Sequence, residues 1–218
     1  MSTQTGVTLP FSPLPRSFYI EPTTQVAQGL LGHYLVRKTE RGLCAGIIVE
    51  TEAYLSDDPA CHAYLRETPR NRSMWGEPGM AYVYRIYGSY MCFNAVCRQK
   101  GVAEAVLVRA IEPTLGLDVM RHYRNTQRDI NLTSGPSKLC VAMSIDLTLD
   151  GVDICDVASP LFIGCNPDIE ETHRVLAPAV TTTRIGITRA ADWPLRFYLD
   201  GSRYVSKRIA RRAKLASE

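Results

Sequence analysis

No stretch of this chain comes near the ~18 consecutive apolar residues that a membrane-crossing helix needs, so neither a transmembrane segment nor a membrane partner is expected. The first residues lack the basic-then-apolar layout of a secretory leader; Met1 to Pro15 is rich in Thr and Pro and reads as a loose arm. The 7 cysteines, at 44, 61, 92, 97, 140, 155 and 165, include no C-x-x-C pair. The histidines at 33, 62, 122 and 173 have no His or Cys partner at ligand spacing. Together these absences argue against a zinc centre, a redox motif or a disulfide framework, and for buried reduced thiols. There is no internal repeat and no low-complexity linker. The net charge of +3 is too slight to identify a polyanionic partner by itself.

What is present suffices for one sizeable core, since 45% of the 218 residues are apolar. Pro22 to Leu31 reads as a helix, and Tyr34 to Arg37 and Leu43 to Glu52 as a hairpin about Glu40-Arg41-Gly42. Leu55 to Met80 has no steady period and forms a long connection, a kind that is usually functional or poorly ordered. Ala81 to Tyr87 and Tyr90 to Cys97 read as strands hinged at Gly88, and Glu104 to Ile111 as another strand. Leu115 to Arg124 has helical spacing, and Ser134 is placed to cap a short helix from Gly135 to Met143 with Pro136 in its first turn. Further strands are expected near Asp153 to Cys155, Thr183 to Thr188 and Leu195 to Leu199. The pattern predicts an α+β fold, a single domain around a curved, mostly antiparallel β-sheet with flanking helices.

Two segments carry chemistry. Ile48-Val49-Glu50-Thr51-Glu52-Ala53-Tyr54 is an apolar strand ending in carboxylates two residues apart, which share a face of a strand. They are either surface carboxylates at a strand end or a site in which one supplies acid–base chemistry and the other pairs with a neighbour. Tyr82-Val83-Tyr84-Arg85-Ile86-Tyr87-Gly88-Ser89-Tyr90 is either a half-buried aromatic strand or a stacking surface with a projecting ring at the glycine turn. Such a ring can wedge into a base stack. Arg109, set among Val106, Leu107, Val108, Ala110 and Ile111, needs a carboxylate such as Glu52 or a phosphate as partner. Asn94, in an apolar strand, either braces backbone or faces a pocket. His62 is a structural histidine or a donor to a base or phosphate. Arg66, Arg70 and Arg72 bracket Asn71, and Arg203, Lys207, Arg208, Arg211, Arg212 and Lys214 form an acid-free tail. Such stripes suit a polyanion or, for the tail, a solvated helix end.

These segments, with Thr68-Pro69-Arg70-Asn71-Arg72, Leu107-Val108-Arg109-Ala110-Ile111-Glu112-Pro113, Ser134-Gly135-Pro136-Ser137-Lys138-Leu139-Cys140 and Pro194-Leu195-Arg196-Phe197-Tyr198, resemble the alkyladenine (3-methyladenine) DNA glycosylase family in motif and order. The resemblance spans roughly Gln25 to Val205. It divides the chain into an arm (1–15), a glycosylase domain (16–205) and a basic tail (206–218). It implies a monofunctional base-excision enzyme that extrudes a damaged purine from double-stranded DNA and hydrolyses its N-glycosidic bond. Glu52 would be the general base and Arg109 its partner in holding water. Tyr54, His62 and Tyr84 would wall the base pocket, and Asn94 and Leu107 would form its floor. Tyr87 would intercalate, and Arg70 and Arg72 would meet the DNA backbone. No metal and no organic cofactor is implied. The protein would be a monomer, cytoplasmic and nucleoid-associated, in a bacterium. The stretches His62 to Thr68 and Arg124 to Ser134 are shorter than in mammalian members of the family. A damage-binding module without catalysis would keep the tyrosines and lose the carboxylate, but Glu52 is present.

Overall fold

A computed structural model describes residues 11–208. Two short helices, α1 (Arg16–Ile20) and α2 (Thr23–Gly29), lead into a hairpin of β1 (Tyr34–Thr39) and β2 (Gly42–Tyr54). A second hairpin, β3 (Ala81–Ile86) with β4 (Tyr90–Cys97), is followed by β5 (Glu104–Leu115). Helices α3 (Leu117–Arg124), α4 (Ile130–Thr133) and α5 (Pro136–Ala142) come next. The chain then runs through β6 (Leu161–Gly164), α6 (Ile169–Leu176), β7 (Ala179–Thr182) and β8 (Arg196–Leu199).

Every strand pairing among these elements is antiparallel, in the order β3-β4-β5-β2-β1-β6, with β8 joining β2 and β7 joining β8. β2 is 13 residues long and serves two neighbours on one edge, β1 through its first half and β8 through its second. The sheet therefore curls around β2 and β5. The fold is the single-domain α+β arrangement that the strand pattern predicted.

Strand alternation sorts the side chains onto two faces. Ala53, Val83, Phe93, Val106, Val108 and Ile111 join Val26 and Ala27 of α2 and Leu139 and Cys140 of α5 in the main core. Thr51 Oγ1 stitches α2 to that face by donating to the Ala27 carbonyl at 2.7 Å. The intervening residues of β2 to β5 face the other way. Three irregularities interrupt this alternation, the first between Ala45 and Gly46 and the other two close to Glu50. Between Ile48 and Glu50 the register with β5 shifts, leaving Val49 without an opposite residue, and between Glu50 and Thr51 it shifts again, leaving out Arg109. Bulges of this kind bend a strand and re-aim its side chains, and they concentrate beside functional sites.

Several expected elements differ. Ser134 does not cap α5; its hydroxyl donates to the Ile130 carbonyl at 2.6 Å, and Gly135 takes the cap position. Asp153 to Cys155 makes only an isolated bridge to Met80, because Asp153 Oδ1 accepts the Cys155 N–H and turns the chain. The strand expected at Thr183 to Thr188 lies earlier, at β7, because Gly186 takes φ +77° and Arg184 is drawn into a buried ion pair. Residues 1–10 of the expected arm lie outside the described residues; Leu14 N–H donates to the Ile163 carbonyl at 2.9 Å. Among the described residues no helix is long and apolar enough to cross a membrane.

His33 ties β1 to the segment after β6. It is buried, and its Nδ1 accepts the Asn166 N–H at 3.1 Å, which requires that nitrogen to be unprotonated. Burial, reinforced by the nearby His173, pushes its pKa down to about 4. The folded state then binds fewer protons than the unfolded state, so stability is complete above about 6.5 and declines as pH falls toward 4. Denaturant titrations should show about 2 kcal/mol lost over this window from His33, and His33→Gln should flatten the dependence. An unchanged slope in that variant would place the loss elsewhere.

Candidate active site

The non-core face of β2 to β5 is the floor of a cavity of about 370 Å³. Tyr54 comes from β2, Ala105, Leu107 and Arg109 from β5, Cys92 and Asn94 from β4, and Tyr82 and Tyr84 from β3. The walls are His62, Arg70 and Met74 of the long connection, Pro136 and Ser137 at the start of α5, and Ile185 to Ile187. A buried residue, Asn71, ties the long connection to itself. Asn71 donates from Nδ2 to the carbonyls of His62 (2.8 Å) and Arg66 (3.1 Å) and accepts the Thr68 N–H at 2.7 Å.

Aromatic rings line one side. Tyr82 and Tyr84 stack at 5.3 Å between centroids, and His62 stands edge-on to Tyr84 at 4.5 Å. His62 Nδ1 and the Tyr82 hydroxyl are hydrogen-bonded at 3.0 Å. The Arg70 guanidinium lies over the Tyr84 ring at 5.5 Å. Burial raises the pKa of Tyr54 and of Tyr84, so both rings keep their protons and act as neutral donors. On the floor, Asn94 is buried and braces the sheet, donating to the Tyr82 carbonyl at 3.1 Å, with Leu107 opposite it on β5. At the tip of the β3–β4 hairpin, Tyr87 is 81% exposed and holds φ +47°, followed by Gly88 at φ +82°. A left-handed conformation at a non-glycine residue costs of order 1 kcal/mol. This hairpin spends it on aiming a tyrosine ring into solvent beside the cavity.

Beneath the floor lies an ionic network. Arg109 donates from Nε to Glu50 Oε1 (3.2 Å) and from Nη1 to Glu52 Oε2 (3.1 Å), with all of these side chains buried. The register shift at Arg109 turns its guanidinium toward both carboxylates at once. Glu52 also accepts the Tyr54 hydroxyl at 2.9 Å and the Ile185 N–H at 2.8 Å. Burial raises the pKa of Glu52, against the opposing pull of Arg109, Ile185 and Tyr54. Glu52 is not itself part of the cavity wall; the cavity meets Tyr54 and Arg109, which both touch its Oε2.

The cavity thus gathers Tyr54, His62, Tyr84, Asn94, Leu107 and Arg109, with Arg70 and Tyr87 also lining it. Arg72 stands apart, exposed and paired with Glu67 at 3.4 Å. Sequence reasoning missed the Ile185 to Ile187 wall and the pair that anchors it. The side chains of Arg184 and Asp58 are fully buried and bonded through Nη1 and Nη2, and Arg184 sits over the Tyr54 ring at 4.7 Å. The one available signal was Gly186, an unexplained glycine in a β-branched run. Among the described residues no group of three or more His, Cys, Asp or Glu is disposed to hold a metal ion.

The model of one protein family, described as Methylpurine-DNA glycosylase (MPG), matches residues 17–203. A protein of Methanoculleus marisnigri is 50% identical over 195 residues, which cover 89% of this chain and 99% of the relative. One from Carboxydothermus hydrogenoformans is 47% identical over the same shares of both chains. One from Agrobacterium fabrum is 45% identical, over 91% of this chain and 95% of its own. All three carry the name "Putative 3-methyladenine DNA glycosylase".

The Asp58–Arg184 pair yields a test of how the cavity wall is held. Removing one partner of a buried ion pair strands the other and typically destabilises by about 3–5 kcal/mol. Arg184→Met should show a loss of this size in denaturant unfolding. The double variant Asp58→Leu with Arg184→Met should recover part of it. Equal stability of Arg184→Met and the parent would mean that the pair holds nothing.

Proposed function

The chain belongs to the methylpurine-DNA glycosylase family, and on that premise we propose that it flips a damaged purine out of duplex DNA and hydrolyses its N-glycosidic bond with a water activated by Glu52. The observation that carries this reading is the buried Glu52–Arg109 pair directly under an aromatic cavity, with an exposed tyrosine at the rim. Substrates of the 3-methyladenine, hypoxanthine and ethenoadenine type fit such a cavity, being flat and able to stack on one of Tyr84 and His62 while meeting the other edge-on.

The chemistry follows from the groups present. An alkylated purine carries positive charge and leaves readily as the sugar becomes oxocarbenium-like. What the protein adds is extrusion, stacking and a positioned water. A carboxylate offers about four lone-pair positions; Tyr54, Arg109 and Ile185 use three of Glu52's. The remaining one, on Oε1 beside the Ile185 N–H, is where we place the nucleophilic water. The raised pKa of Glu52 makes it a stronger base than an exposed glutamate, provided that it is ionised. A water nucleophile leaves the DNA backbone intact at an abasic site. Tyr87 fills the gap left in the stack, and Arg70 supplies positive charge at the rim. Asn94, fixed by its bond to the Tyr82 carbonyl, would exclude the exocyclic amino group of guanine. The protein acts as a monomer on damaged double-stranded DNA.

The experiment is direct. Duplex oligonucleotides carrying hypoxanthine or ethenoadenine are incubated with the protein, then treated with alkali. Strand cleavage that depends on both the protein and the alkali supports the reading. Binding without cleavage would favour a damage-recognition module, and cleavage before alkali would contradict the water mechanism.

Variants locate the roles. Glu52→Gln keeps the shape but cannot take a proton, so single-turnover excision should fall by at least ~10²-fold while lesion binding survives. In the parent, the rate should climb with pH through a pKa above the ordinary carboxylate range, since only ionised Glu52 is active. Near-parental rates in Glu52→Gln would remove it from the mechanism.

Tyr87→Ala should weaken excision from duplex DNA by about tenfold or more, because nothing then replaces the extruded base in the stack. Single-stranded substrate should be affected much less. Equal effects on the two substrates would reduce Tyr87 to a surface residue of the hairpin.

A further inference from the structure

We propose that Glu50 and Ser206 are positioning residues for excision, with the docked segment 202–208 locking Arg109 in place beneath the cavity; the inference rests on the glycosylase reading above. Glu50 is completely buried and does not line the cavity. It nevertheless gathers donors from three separate parts of the chain. Oε1 accepts from Arg109 Nε (3.2 Å), Arg196 Nε (2.6 Å) and Ser206 Oγ (2.9 Å), and Oε2 accepts the Ser206 N–H at 2.7 Å. A guanidinium held by one carboxylate can swing about that contact. Arg109 is held by two, Nε on Glu50 and Nη1 on Glu52, so its plane is fixed relative to the floor.

The segment that supplies Ser206 is firmly seated. Tyr204 and Val205 are buried against Val49, Ala110 and Tyr198 on the sheet face away from the main core. Ser202 Oγ donates to Glu112 Oε2 and Arg208 Nη2 to the Ser202 carbonyl, each at 2.5 Å. Arg196 Nη2 donates to the Lys207 carbonyl. Residues 206–208 thus form part of the support under the cavity. The rest of the basic tail, with Arg211, Arg212 and Lys214, lies outside the described residues. Fold stability alone gives little reason for this design, since a buried ion network is seldom more stable than apolar residues of equal volume. Orienting Arg109 does.

The charged and titratable groups around Glu52 are Arg109 from β5, Glu50 and Tyr54 from β2, Cys92 from β4, Arg196 across from it on β8, and Arg184 with its partner Asp58 beside Tyr54. The negative charge of Glu50 strengthens the hold of Glu52 on a proton. Glu50→Gln removes that charge and keeps the shape. Its single-turnover excision should therefore reach a plateau about tenfold lower, as expected for a misplaced Arg109. Ser206→Pro deletes both Ser206 donors but leaves the Glu50 charge; a loosened Arg109 no longer holds the Glu52 pKa down, so the acid limb should move to higher pH, whereas Ser206→Thr keeps both donors and should restore the parental curve. A purely structural role would lower the melting temperature without moving the limb. Profiles of Glu50→Gln and Ser206→Pro that superimpose on the parent, or a Thr variant no better than Pro, would overturn the proposal. Should Glu50→Gln fail to fold, the Ser206 pair decides alone. Carbon NMR titration of the Glu52 carboxyl in parent and Ser206→Pro reads the same linkage without DNA. A parent inactive on every lesion would sink the glycosylase reading, while an unmoved titration would sink this inference.

Discussion

The molecule is organised around one guanidinium that has no business in a hydrophobic strand. Arg109 is buried, and an isolated charge there would be untenable. Glu50 and Glu52 compensate it, and Arg196 compensates the second carboxylate in turn. Two acids and two bases thus form a neutral cluster in which no member can be removed alone without stranding another. The demands of this cluster reach far along the chain. They account for the shifted register between β2 and β5, for β8 lying against the end of β2, and for the return of the chain at Ser206 to the same carboxylate.

Above this rigid base the cavity combines two kinds of support. Its floor is made of β-strand residues, so Asn94, Leu107 and Tyr84 are set by the sheet itself. Its rim is made largely of loops tied by buried polar residues: Asn71 within the long connection, and the Asp58–Arg184 pair between that connection and the Ile185 wall. This arrangement places precise geometry below and adaptable contacts above. Tyr87 is the exception, a rim residue on a tight hairpin whose strained backbone fixes its direction.

The legible parts of the sequence were those governed by local periodicity. Alternation along β2 to β5, the turn at Gly88 and the helix after Pro136 all follow from residue type and spacing. The floor residues Asn94 and Leu107 did not follow from spacing; the family resemblance alone implied their place. Features that depend on distant partners were not legible. Ser134 has the composition of a helix cap, but its hydroxyl finds the Ile130 carbonyl first. Arg184 sits in a β-branched run that reads as a strand until Asp58, 126 residues away in sequence, captures it. Ser206 looked like part of a solvated basic tail because nothing local reveals that Glu50 is waiting for it. The segment β6 and the helix α6 were missed because both are short and flanked by Pro, Asp and Asn.

The central claim is that Glu52 and Arg109 act as one unit on one water, and a double-mutant cycle on single-turnover excision tests it most directly. The rates compared are those of the parent, Glu52→Gln, Arg109→Leu and the double variant, each on the same duplex lesion. Residues that act as a unit are strongly non-additive. The predicted result is that Arg109→Leu slows the parent severely and slows Glu52→Gln hardly at all. Losses that simply add, with the double variant slowed by the product of the single effects, would contradict the account.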